Sequence, residues 1–145
     1  MEIKAEKLFA KYKRQYIAKL GRHPLNNVEI DLLMASSTYK GSYAQDEMFQ
    51  LKPGMYIINT DLRTGPGIHW ISLFLTKKTA FFYDSFARDI KKLVPHLIKR
   101  LKGFKIVSSD RRDKEQKDAE IICGHLSCAW ISVAKDLGIR KAILI

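Results

Sequence analysis

The chain has 145 residues, of which 46% are apolar, and 26 basic against 15 acidic side chains give a formal charge of +11. This length and apolar fraction predict a single domain over residues 1–145 and exclude wholesale disorder. No apolar run approaches the roughly 20 residues of a membrane span and no signal-peptide core leads the chain, so we expect an unsecreted protein with no membrane association. Two cysteines, Cys123 and Cys128, are too few for a disulfide framework or a four-cysteine zinc site.

The positive charge is concentrated in two segments. Residues 1–20 contribute +4 and residues 88–117 contribute +7, which together account for the whole +11. Such segments favour contact with a polyanion, although solvated amphipathic helices have the same composition. Charge alone therefore leaves a nucleic-acid-binding face and an ordinary solvated surface both open. The candidate phosphate-binding side chains are Lys91, Lys92, Lys99, Arg100, Lys102, Lys105, Arg111 and Arg112.

In chain order, the first half alternates helices, a loop and strands. Apolar residues at three- and four-residue steps predict a basic amphipathic helix within residues 1–20, ended by Gly21 and Pro24. A short helix over residues 27–34 and a polar loop over 36–50 follow. Apolar runs then predict three antiparallel strands over residues 55–59, 68–75 and 79–83, the last two joined by a turn at Lys77-Lys78.

The second half is predicted to contain two helices and two strands. The strongest helical periodicity of the chain runs over residues 90–101, and Gly103 closes it. A strand over 104–107 and a charged loop over 108–118 precede a helix from about Cys123 to Leu137, and residues 140–145 are predicted as a last strand. The fold class is therefore α+β, with a central mixed or antiparallel sheet flanked by helices.

Two polar residues stand at the ends of the middle strands. His69 lies one residue into an apolar strand, and Asp84 ends the next one. In a hairpin that turns at Lys77-Lys78, they are within one or two residues of being cross-strand neighbours, close enough for a carboxylate to orient an imidazole. Each also has an ordinary structural role, His69 as a core histidine bonded to backbone and Asp84 as a cap of the next helix.

Cys123 precedes the last long helix and is followed by Gly124. The thiolate of a cysteine at a helix N-terminus is stabilised by the dipole and the free N–H groups, and a small neighbour leaves room for a substrate carbonyl. Gln116, seven residues upstream, has a side-chain amide that could donate to an oxyanion. With His69 and Asp84 these form a candidate Cys–His–Asp acyl-transfer site. Alternatively Cys123 is a buried apolar residue, which is our expectation for Cys128.

The order of these residues resembles that of a known enzyme family. The segments Gly67-Ile68-His69-Trp70, Tyr83-Asp84-Ser85-Phe86 and Cys123-Gly124, with Gln116 before the last, are similar to the His-Trp, acidic, Gln and Cys-Gly series of adenovirus-type cysteine proteases. This family includes maturation proteases of virophages, related large DNA viruses and transposons, with SUMO-specific proteases as distant relatives. The resemblance covers about residues 41–135.

The resemblance implies a catalytic role for four positions. His69 would be the general base, Asp84 the carboxylate that orients it, Cys123 the nucleophile and Gln116 an oxyanion-hole donor. Adenoviral members have Glu where this chain has Asp84, whereas Asp or Asn is usual in other branches.

The resemblance also implies a fold and the surroundings of the site. The catalytic core would span about residues 41–145 in an adenovirus-protease-like fold, with the nucleophile at the N-terminus of a core helix. Trp70 would pack beside the site, and the backbone N–H of Cys123 or Gly124 would complete the oxyanion hole.

The function implied is a cysteine endopeptidase that matures viral capsid and core precursors. We expect a monomer inside the virion and the host cell. Adenoviral enzymes are stimulated by DNA and by a disulfide-linked viral peptide. The basic segment over 88–117 favours DNA as a partner through sequence-independent phosphate contacts. No third cysteine is present for the peptide link, so that cofactor is not expected, and neither is a metal or a small-molecule cofactor.

Three other functions fit the same residues. The first is removal of ubiquitin or SUMO, which would require cleavage after a C-terminal Gly-Gly. The second is acetyl transfer by the same three residue types, which would require an acyl-CoA donor. The third is a basic nucleic-acid-binding module without catalysis, whose DNA affinity would survive loss of Cys123.

Overall fold

Five strands form one mixed sheet with helices on both faces, as the α+β prediction requires. The structure, a computed structural model, describes residues 2–109 and 119–145. Strands neighbour one another in chain order; the outer pairs β1–β2 and β4–β5 are parallel, and the two inner pairs are antiparallel. The strands are β1 (Tyr39–Ala44), β2 (Gly54–Asn59), β3 (Trp70–Leu75), β4 (Thr79–Tyr83) and β5 (Lys105–Ser108). The described helices are α1 (Glu2–Leu20), α2 (Asn27–Met34), α3 (Ile90–Leu93), α4 (Pro95–Arg100), α5 (Ala119–Leu137) and α6 (Ile139–Ala142).

The sheet separates two hydrophobic clusters. Successive side chains of a strand point to opposite faces, so Met55 and Ile57 of β2 enter one cluster while Tyr56 and Ile58 enter the other. The first cluster is built with residues of α1, α2, α5 and α6, and the second with residues of α3 and α4. Both faces are therefore covered, which explains why the middle strands are apolar almost without interruption.

Helix α5 is the central helix of the larger cluster. Its residues 122–134 are all buried, because the helix lies between the sheet and α1. Two hydrogen bonds join it to β3: Ser72 Oγ donates to the Ser127 carbonyl at 2.7 Å, and Ser127 Oγ donates to the Trp70 carbonyl at 3.0 Å. These bonds set the position of α5 along β3. None of the described helices is long and apolar enough to cross a membrane.

Two predicted elements are wrong. The polar loop predicted over residues 36–50 contains strand β1, a half-buried edge strand whose small and polar residues conceal the strand pattern. The strand predicted over 140–145 is instead the short helix α6 and a turn. Gly138 adopts a left-handed φ of +94° and reverses the chain after α5, and Trp130 Nε1 then binds the Ala142 carbonyl at 2.9 Å.

The helix predicted over residues 90–101 is two short helices. Val94 separates α3 from α4 with φ −129° and ψ 60°, outside the helical region. The cause is Pro95, because the ring of a proline disfavours helical backbone at the residue before it while suiting the first turn of a new helix. The residues Ile90, Val94 and Leu97 are all buried in the core. The predicted spacing of apolar residues is therefore confirmed, whereas the prediction of one continuous helix is wrong.

Candidate active site

His69 and Asp84 are brought into direct contact by the β3–β4 hairpin. His69 Nε2 lies 2.5 Å from Asp84 Oδ1, and the two side chains are only 4% and 1% exposed. The strands turn at Lys77-Lys78 as predicted. One detail differs: His69 lies just before β3 rather than inside it, with its carbonyl accepting the Thr60 N–H at 2.8 Å.

Asp84 also organises the turn that follows β4. Its Oδ1 accepts the Phe86 N–H at 3.3 Å, and its Oδ2 accepts the backbone N–H and Nε of Arg88 at 2.9 and 3.1 Å. Between them Ala87 holds a left-handed φ of 54°, which is unfavourable for a residue with a side chain. The carboxylate therefore has both roles considered for it, orienting an imidazole and capping a turn, while Asp89 caps the next helix.

The Asp84 carboxyl is held ionised. Burial raises the pKa of this group, but the hydrogen bonds from His69 and Arg88 outweigh burial, and the pKa falls to about 2. An ionised carboxylate only accepts hydrogen bonds, so His69 Nε2 must donate to it. That leaves Nδ1 as the ring nitrogen that can take a proton from another group.

Cys123 supplies the third member of the site. Its thiol hydrogen-bonds to His69; burial lowers the pKa of His69, but the hydrogen bonds to Asp84 and Cys123 raise it above its usual value. The backbone N–H of Trp70 also points at Cys123 Sγ, 3.4 Å away. Both contacts place polar groups against the sulfur atom. The structure thus brings together three residues that lie far apart in the sequence.

Helix α5 begins earlier than predicted but is interrupted at the site. It starts at Ala119, four residues before Cys123, and Ile122 has non-helical angles of φ −106° and ψ 16°. Regular helix therefore resumes at Cys123, at the start of the long buried segment of α5.

Cys123 opens on a cleft of about 470 Å³, a volume within the range of ligand-binding pockets. Its walls come from the α1–α2 connection, the end of β1 and the loop of residues 60–69, which we call the β2–β3 loop. Trp70 lines the cleft as expected, and its indole Nε1 donates to the Leu25 carbonyl at 2.8 Å. Cys123, which is 3% exposed, lines the cleft, whereas the buried side chains of His69 and Asp84 do not.

The β2–β3 loop is held by two short side chains. Asp61 accepts the N–H groups of Leu62 and Gly67 at 2.8 and 3.0 Å. Asn59, at the end of β2, accepts those of Asp61 and Ile68 at 2.9 and 3.1 Å. A glycine- and proline-rich stretch therefore has a defined conformation at the cleft wall.

Three residues close to Cys123 in the sequence are held by core packing or by a backbone contact. A Cβ at Gly124 would lie 3.1 Å from Leu25 Cβ, so the need for a small residue arises from the packing of Leu25 as well. Cys128 is fully buried in the core as predicted, and burial raises the pKa of its thiol. His125 Nε2 donates to the Gly21 carbonyl at 2.8 Å, and burial lowers the pKa of His125.

Several predicted residues fall elsewhere. Gln116, Arg111 and Arg112 lie outside the described residues. The guanidinium of Arg100 binds the carbonyls of Glu47 and Phe49 at 3.2 and 2.5 Å, so it braces the chain before β2. Exposed side chains are found at the remaining basic positions, Lys91, Lys92, Lys99, Lys102 and Lys105. Within residues 2–109 and 119–145, no group of three His, Cys, Asp or Glu side chains is arranged to hold a metal ion.

Sequence reasoning missed two residues that surround the His–Asp pair. Arg88 binds Asp84, and its guanidinium lies 4.8 Å from the centre of the Phe86 ring. Phe86 in turn packs against the His69 ring, with centroids 5.3 Å apart. The four-residue spacing between Asp84 and Arg88 was the available signal, because it allows an ion pair within one turn of chain.

Comparison with protein-family models and with curated protein sequences finds no match to this chain.

Proposed function

We propose that this chain is a cysteine endopeptidase with Cys123 as nucleophile, His69 as general base and Asp84 as the residue that orients the base. One observation supports the proposal above the others: His69 is hydrogen-bonded to both Asp84 and Cys123, and the thiol faces a cleft. A buried structural histidine needs neither an ionised carboxylate nor a thiol at the mouth of a cavity.

The chemistry follows from the two ring nitrogens. His69 Nδ1 takes the proton of the Cys123 thiol, and the thiolate attacks the carbonyl carbon of a peptide bond. The oxyanion is stabilised by N–H groups at the start of the regular part of α5, with Gln116 as a further proposed donor. Nδ1 then protonates the leaving amine, and water hydrolyses the thioester to return the free thiol. Asp84 keeps Nε2 protonated throughout.

The substrates we propose are structural precursors of a virus or virus-like element. This part rests on the resemblance of His69-Trp70, Asp84, Gln116 and Cys123-Gly124 to the adenovirus-type proteases. Members of that family favour small residues, often glycine, just before the cut, and we propose the same preference here.

We further propose that the enzyme associates with DNA through α3, α4 and β5. The exposed lysines of this segment have no ion-pair partner among the described residues. They are free to neutralise phosphates, and such binding weakens steeply with salt. Arg100 contributes less, because its guanidinium is already bound to backbone carbonyls.

The test of catalysis is cleavage of a peptide library, read as new N-termini by mass spectrometry with and without duplex DNA. We expect cleavage by wild type and by Cys128→Ala, the matched cysteine control, and none by Cys123→Ala or His69→Ala. Absence of cleavage by wild type under both conditions, or cleavage that survives Cys123→Ala, would refute the endopeptidase.

The same enzyme preparation separates the alternatives. Hydrolysis restricted to ubiquitin- or SUMO-type Gly-Gly conjugates would identify an isopeptidase, and acyl transfer from acyl-CoA would identify an acetyltransferase. For DNA, replacing Lys91, Lys92 and Lys99 by Gln should reduce the slope of log affinity against log salt by about 3. The same change at Lys4, Lys7 and Lys11 of α1 is the control and should leave the slope nearly unchanged.

A further inference from the structure

An amide side chain faces the cleft beside the proposed nucleophile. Asn59 is the last residue of β2 and pairs in register with Trp70, whose N–H contacts Cys123 Sγ. Asn59 is 7% exposed, and the exposed part lines the same cleft as Cys123. The amide therefore lies one strand away from the thiol, on the surface that a bound ligand would touch.

The orientation of this amide is fixed by its neighbours. Its Oδ1 accepts two backbone N–H groups, from Asp61 at 2.9 Å and from Ile68 at 3.1 Å. A reversed amide would place its NH₂ group against both donors, so the oxygen must occupy this position. Nδ2 is then the remaining polar atom of the amide, and no described residue accepts a hydrogen bond from it.

Access to Nδ2 depends on Gly67. This residue has a left-handed φ of +92°, and a Cβ there would lie 3.2 Å from Nδ2. Since glycine has no Cβ, the backbone of the β2–β3 loop passes close to the amide without covering it. The Gly67 N–H is itself bound to Asp61, so the approach is held open by a hydrogen bond.

We infer that Asn59 Nδ2 binds a main-chain carbonyl oxygen of the peptide substrate, an inference that rests on the proposed peptidase function. A nearly buried donor without an acceptor in the protein requires one from the ligand. An extended peptide presents a carbonyl at every residue whatever its side chains. Asn59 therefore aligns the substrate backbone in the cleft rather than reading a side chain, and it is a binding residue in addition to the three catalytic ones.

The variant that isolates this role is Asn59→Asp. Aspartate keeps an oxygen for the Asp61 and Ile68 N–H groups, so the β2–β3 loop retains its support, but it replaces the Nδ2 donor by an acceptor. Gln15→Glu is the control, because Gln15 is exposed on α1 outside the cleft and the substitution adds the same charge to the chain. Hydrogen-exchange protection of the Ile68 N–H checks that the loop is intact.

The experiment compares two reagents that alkylate Cys123. One is an acetylated tetrapeptide chloromethyl ketone ending in glycine, which fills the cleft, and the other is chloroacetamide, which needs only the thiol. The loss of one hydrogen bond should lower the peptidyl rate constant of Asn59→Asp about tenfold, with the chloroacetamide rate unchanged and Gln15→Glu like wild type. Alkene isosteres that remove one carbonyl at a time should affect wild type at one position and Asn59→Asp at none.

The outcomes separate this inference from the function on which it rests. If Asn59→Asp keeps the wild-type ratio of peptidyl to chloroacetamide rates, the inference is wrong while the peptidase stands. If wild type shows no preference for the peptidyl reagent, the cleft does not bind peptides, and both are wrong.

Discussion

Arg88 reaches back four residues to Asp84 and binds its Oδ2 twice, through the backbone N–H at 2.9 Å and through Nε at 3.1 Å. Replacing Arg88 by Ala removes only the second bond and uncovers Phe86, which packs on His69. We expect a loss of stability of about 1 kcal/mol or less, because the Arg88 side chain is 43% exposed and solvent screens the pair. Peptidase kcat/KM should fall by roughly threefold to tenfold, because the carboxylate is held less firmly.

The charge and the geometry of Arg88 can be separated. Arg88→Lys keeps the positive charge but lacks the planar Nε donor, so it should recover only part of the lost kcat/KM. Arg140→Ala, an exposed arginine on α6, is the control and should match wild type. Equal activity of wild type and Arg88→Ala would show that the backbone N–H groups alone position Asp84.

The stability of the fold should depend on the ionisation of Asp84 in acid. The native pKa of about 2 lies below the unfolded value of 3.8, so ionisation of Asp84 stabilises the folded state above pH 4 by about 2 kcal/mol. This contribution should be lost as the pH falls from about 4 to about 2. We expect the difference in unfolding free energy between wild type and Asp84→Asn, measured in urea, to narrow by that amount over this range. A constant difference would indicate that Asp84 is not ionised in the native protein.

The two cysteines should differ sharply in reactivity. Iodoacetamide should modify Cys123 in the folded protein and leave Cys128 untouched, because Cys128 is fully buried and burial raises its pKa. His69→Ala should slow modification of Cys123 at neutral pH by about tenfold or more, since the imidazole no longer accepts the thiol proton. Peptide mass spectrometry over a range of pH measures both sites in one sample. Equal rates at both cysteines, or no effect of His69, would contradict the proposed thiol–imidazole pair.

Gly124 and Leu25 should be energetically coupled. Gly124→Ala places a methyl group about 3.1 Å from Leu25 Cβ, and the resulting overpacking should cost about 1–3 kcal/mol of unfolding free energy. Leu25→Ala keeps Cβ but removes the contacts of Cδ1 and Cγ at 3.2 and 3.3 Å, so the double variant should be more stable than the sum of the single losses predicts. Strict additivity in urea unfolding would mean that Leu25 does not restrict position 124.

The proximity of His69 and Asp84 could be predicted from the sequence alone. Two lysines between apolar runs located the hairpin turn, and once the turn is known the pairing of its strands follows. The position of Cys123 near the start of a buried helix followed equally from the periodicity of residues 126–137. Local patterns predicted these features because each depends on neighbours within one element or one turn.

The remaining features depend on contacts between distant parts of the chain. Strand β1 is stabilised by parallel pairing with β2 and by Asp31, which accepts hydrogen bonds from Tyr39 and Ser42, and its own sequence lacks an apolar alternation. The contact of Leu25 with Gly124 joins residues about 100 positions apart. The break at Val94 is different, because Pro95 is a local signal for it in the sequence. The strong apolar period nevertheless favoured one continuous helix, so the break was not predicted.

The hydrogen bonds between Ser72, Ser127 and Trp70 make the site depend on packing between distant parts of the chain. The hairpin that pairs His69 with Asp84 ends 39 residues before Cys123 in the sequence. The thiol therefore meets the imidazole only where α5 packs on β3. In a misfolded copy without this packing, we expect Cys123 to lose the proposed activation by His69.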